Sequence, residues 1–61
     1  MTDEEKRIVS TSLVHIKKAI DEIQRVGLDV AIIADSSDLE IETLQALVLC
    51  KRLEKLFRGC L

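Results

Sequence analysis

The chain has 61 residues and a formal net charge of −2, with nine basic and eleven acidic side chains interspersed along it. That length allows one domain and excludes the larger layered scaffolds on which most enzymes are built. The mixing of charge excludes a polybasic nucleic-acid arm and an acidic tail, and a single aromatic residue, Phe57, leaves no platform for stacking bases.

The first predicted element is a helix from about residue 3 to 26 or longer. Thr2 with Glu5 three positions on has the pattern of a capping box, and Asp3, Glu4 and Glu5 set negative charge against the positive end of the helix dipole. Val9, Leu13, Ile16, Ile20 and Ile23 then recur at spacings of 4, 3, 4 and 3, a heptad stripe along one side of a helix. Ile8, Val14, Ala19 and Val26 broaden that stripe, and Gly27 stands where a helix commonly ends.

The next stretch, Leu28 to Asp35, is too apolar for a solvent-exposed loop. Three readings stay open for it: continuation of the first helix through Gly27, a short separate helix capped by Asp29, or a strand in which Leu28, Val30, Ile32 and Ala34 alternate. Asp35-Ser36-Ser37-Asp38 is the tight connection in every case, within a link of about residues 27–37.

A second helix is expected over about residues 38–59, announced by Ser37 with Glu40 as a second capping box. Ala46, Leu49, Leu53, Leu56 and Cys60 form a 3-4 stripe, and a second apolar row runs through Ile41, Leu44, Leu47 and Val48. The first helix starts acidic and the second ends basic at Lys51, Arg52, Lys55 and Arg58. Antiparallel packing sets those ends together, with Arg25 expected beside Asp38 and Glu40. The fold expected is therefore all-α: one antiparallel two-helix hairpin comprising the whole of residues 1–61.

Ile, Leu and Val supply 21 of the 61 residues. A hairpin can bury only one face of each helix, so the surplus calls for a partner surface. The expectation is a homodimer closing into a four-helix bundle, with its dimer and core interface on Leu13, Ile16, Ile20, Ile23, Leu49, Leu53 and Leu56. Leu44, Leu47 and Val48 are the candidate surface for a different protein partner.

Catalytic chemistry finds little footing. His15 is the sole histidine, placed on the flank of the first stripe where it reads as a boundary residue of an interface. The adjacent and alternate carboxylates, Asp21 with Glu22 and Glu40 with Glu42, diverge around a helix. Cys50 and Cys60 lie ten apart, about 15 Å along a helix, too far for a bridge and without metal-ligand spacing. No cofactor or metal is expected. No uncharged stretch, Thr43 to Cys50 included, approaches a membrane span of ~20 residues, and a cytoplasmic location is expected. The function expected is that of a small non-enzymatic regulator or adaptor. The alternative is a nucleic-acid-binding regulator using Lys17, Lys18, Arg25, Lys51, Arg52 and Lys55 on paired helix faces.

Overall fold

A computed structural model describes all residues 1–61 and contains two helices, α1 (Asp3–Ile33) and α2 (Ser37–Gly59), packed on each other as a hairpin without strands. The start of α1 is held by the full capping box. The Thr2 hydroxyl accepts from the Glu5 backbone N–H at 3.1 Å, and the Glu5 carboxylate accepts from the Thr2 N–H at 3.0 Å. Hydrogen bonding to the carboxylate, from the Thr2 backbone N–H foremost and the Thr2 side chain second, holds the Glu5 carboxyl below its ordinary 4.5.

Gly27 does not end the helix. α1 runs on through Ile33, so residues 28–33 are neither a strand nor a separate helix but the last turns of α1. The left-handed residue that stops it is Asp35, at φ 49°. Around Asp35 the chain closes with the two bonds of a Schellman ending: Ser36 N–H to Ala31 C=O at 3.0 Å and Asp35 N–H to Ile32 C=O at 3.1 Å. Ser36 then caps α2, its hydroxyl accepting from the Leu39 N–H at 3.2 Å. The expected capping box thus moves back by one residue and loses its glutamate, because position N3 is Leu39. Ala34, Asp35 and Ser36 are the whole connection, short enough to force antiparallel neighbours.

The helices meet along one seam. On α1 it comprises Val9, Leu13, Ile16, Ile20, Ile23, Gly27 and Ala31; on α2 it comprises Thr43, Leu47, Cys50, Glu54 and Phe57, again spaced 4, 3, 4 and 3. Leu13, Ile20, Ala31 and Leu47 are buried, and the other seam residues are half-buried. Polar members of the seam are satisfied locally. The Thr43 hydroxyl donates to the Leu39 carbonyl at 2.7 Å, and Glu54 pairs with Arg58 one turn on.

The helices approach each other closely at Gly27. A Cβ added there would stand 2.5 Å from Thr43 Cγ2 and 2.7 Å from Thr43 Oγ1. Gly27 is therefore a packing glycine, and its ~1 kcal/mol helix penalty is accepted for backbone proximity. The expected neighbours of Arg25 change as a result. With α1 extended past Gly27, the start of α2 lies level with the last turns of α1, and Arg25 pairs with neither Asp38 nor Glu40; the one ion pair is Glu54–Arg58. Taking Gly27 and Thr43 as level, Gly59 is level with Thr11. Asp3 to Ser10 therefore projects beyond the end of α2 by two turns, about 12 Å.

Candidate helical interaction surface

The hairpin is one layer thick, 48 × 14 × 9 Å, and no side chain in it is fully enclosed. Each helix buries the stripe that faces its neighbour and leaves a second stripe about a quarter turn away. On α1 this second stripe is Ile8, Ser12, His15, Ala19, Glu22 and Val26, and on α2 it is Leu39, Glu42, Ala46, Leu49, Leu53, Leu56 and Cys60. Both alternate spacings of 3 and 4, so each runs straight along its helix.

The two stripes share one side of the hairpin. Leu28 and Ile32 of α1 line a common hollow with Glu40 of α2, which places those residues together on one side of the seam. At 100° per residue, Val26 lies on the other side of the α1 seam, and Leu39 and Leu53 lie on the other side of the α2 seam. Together they make a broad face that is mostly aliphatic along α2 and mixed along α1. The opposite side is more polar, carrying Ser10, Lys17 and Gln24 from α1 with Lys51 and Arg58 from α2.

The residues singled out from the sequence divide accordingly. Leu13, Ile16, Ile20 and Ile23 lie in the seam between α1 and α2. Leu49, Leu53 and Leu56 do not; they are 59%, 46% and 67% exposed within the hairpin. Leu47, expected on a partner-binding surface, is only 6% exposed and is covered by the hairpin itself, whereas Leu44 and Val48 beside it remain open to solvent. Thr43, Cys50, Glu54 and Phe57 were not among the expected interface residues. Their 4-3-4-3 spacing with Leu47 is the signal that marks them, masked by the two polar residues in the row.

Of the six basic residues, Lys17, Lys51 and Lys55 flank the same side of the seam, while Lys18, Arg25 and Arg52 point away from it on the outer sides of their helices. His15 is exposed on the second stripe of α1, one heptad before Glu22. No three His, Cys, Asp or Glu side chains approach closely enough to hold a metal ion. Both cysteines are free, Cys50 half-buried in the seam and Cys60 exposed. No helix is long and apolar enough to cross a membrane. No protein-family model, curated protein or solved structure matches the chain.

Proposed function

We propose that this protein is a small non-enzymatic adaptor or regulator that pairs with a second copy of itself as a four-helix bundle and binds another protein through a helical surface. The observation that carries the reading is the exposed row Leu49, Leu53 and Leu56 on a hairpin that buries only four residues. The chain exposes 4878 Å², against about 4,000 Å² for a compact monomer of 6.9 kDa. The excess, about 900 Å², is close to the ~800 Å² that each partner contributes to a standard interface.

Pairing through that face leaves Ile41, Leu44 and Val48 on another side of α2, exposed and available to a different protein. Sedimentation equilibrium tests the first half of the reading. The chain should sediment as a dimer at tens of micromolar, and Leu53→Asp with Leu56→Asp should return it to monomer. Leu44→Asp with Val48→Asp should leave the dimer intact and remove binding to the partner protein. A monomeric wild-type chain at 100 micromolar would reject the reading.

A further inference from the structure

Resting on that reading, we infer that the second copy docks with its turn at the opposite end, on a two-fold axis passing at the level of Ala19, so that His15 of each chain meets Glu22 of the other.

The stripes of α2 and α1 set the register together. Paired antiparallel with its own copy, the α2 stripe sets leucine on leucine in two alignments, Leu49 with Leu53 or Leu53 with Leu56. The second is centred level with His15 and would set that residue against its own copy, so the α1 stripe selects the first, whose centre is level with Lys51. The contact between Gly27 and Thr43 transfers this height to α1. Lys51 lies eight residues beyond Thr43, so it is level with the residue eight before Gly27, which is Ala19. The axis thus falls on the small residue of the α1 stripe, where two helices can approach most closely.

The rest of α1 agrees with that axis. His15 stands four residues to one side of it and Glu22 three to the other, so each His15 comes within one residue's rise, 1.5 Å, of the partner copy's Glu22. Ile8 falls level with Val30 of the second copy. The charge pattern selects this orientation over the one with both turns at the same end. There α1 would lie on α2 of the other copy, bringing His15 within one residue's rise of Leu56 and Glu22 within one residue's rise of Leu49, two polar side chains desolvated against leucine without a partner. In the head-to-tail arrangement Leu49 meets Leu53, Ala46 meets Leu56, His15 meets Glu22, and Glu42 falls at the end of the stripe level with Cys60 of the second copy.

The test combines crosslinking with charge reversal in a chain carrying Cys50→Ala and Cys60→Ser, first checked by sedimentation to be a dimer. Ala19→Cys should convert largely to an interchain disulfide in a glutathione buffer, since the two Cα atoms at the axis come within bridging distance, and Asp35→Cys should not. His15→Glu should weaken self-association about tenfold or more by setting carboxylate against carboxylate, and adding Glu22→Lys should restore it. A dimer that links through Asp35→Cys instead, fails to link through Ala19→Cys, or ignores the charge reversal overturns the arrangement while leaving self-association standing. A monomer overturns both, and assigns the face to a different protein.

Discussion

Gly27 and Thr43 touch across the hairpin so closely that neither could carry one more carbon toward the other: a Cβ on Gly27 would meet both terminal atoms of the Thr43 side chain inside van der Waals distance. Elsewhere in an exposed helix, glycine to alanine is stabilising by ~1 kcal/mol. Here the sign should reverse. Gly27→Ala should cost about 1–3 kcal/mol through overpacking, partly offset by helix propensity, and lower Tm by several degrees. In a Thr43→Ala background only a 3.2 Å approach to the Thr43 Cβ position remains. There, Gly27→Ala should be neutral or stabilising. Circular-dichroism melts of the four chains form the double-mutant cycle, and equal effects of Gly27→Ala in both backgrounds would contradict the contact.

Leu47 and Leu56 separate the hairpin seam from the proposed dimer face. Leu47 is buried between α1 and α2, so Leu47→Ala should destabilise the hairpin by about 2–5 kcal/mol. Leu56 is mostly exposed in the single hairpin, so Leu56→Ala should leave the dilute hairpin within ~0.5 kcal/mol of wild type and instead raise the dimer dissociation constant. Denaturant unfolding across a hundredfold range of protein concentration distinguishes the two behaviours.

Asp35 is the one non-glycine residue with positive φ. A left-handed conformation costs an ordinary L-residue about 1–2 kcal/mol, somewhat less for aspartate. Asp35→Gly should therefore raise the unfolding free energy by a few tenths to about 1 kcal/mol, and Asp35→Val should lower it, in urea titrations that leave the helix content unchanged.

Glu5 gives a pH dependence of known sign. Its carboxyl is held below 4.5 in the folded chain by the bonds to Thr2, so its contribution is complete above the unfolded value and is lost as pH falls through the folded one. Acidification into that range should loosen the first turn of α1. In Glu5→Gln that part of the response should vanish. A carbon-detected NMR titration should place the Glu5 midpoint below 4.5, and a midpoint at or above it would remove the capping box from the account.

Both helices, the capping threonine of α1 and its inner stripe were legible in the sequence because each depends on local spacing, whereas the cap of α2 was expected one residue late, at Ser37. Three features were not settled by local spacing. Continuation of α1 through Gly27 was one of three open readings, and the approach of Thr43 from 16 residues away explains why a glycine stands there inside the helix. Asp35 has no glycine or asparagine to announce its left-handed turn. On α2 two rows run side by side: the more apolar, Leu49, Leu53 and Leu56, lies outside the hairpin seam, while the row that faces α1 contains Thr43 and Glu54. Hydrophobicity ranks such rows by the water they shed, without saying which neighbour covers them. The interaction surface was legible as a surplus of apolar residues, but its side of the hairpin depended on the phase between two helices that local patterning does not carry.

The unequal lengths of the helices have a consequence for how the molecule opens. Asp3 to Ile8 lies beyond the seam, which begins at Val9, so its amides are guarded by the Thr2–Glu5 cap and the helix ladder with no tertiary cover. These first turns should exchange their amide hydrogens through local fraying, well before the segments around Ile20 and Leu47, which are released only when the hairpin parts. Should a second copy lie head to tail along the same axis, Ile8 would rest beside its Val30, and protection at the N-terminal turns would then rise and fall with protein concentration. The free end of α1 would then report the proposed association, readable one amide at a time.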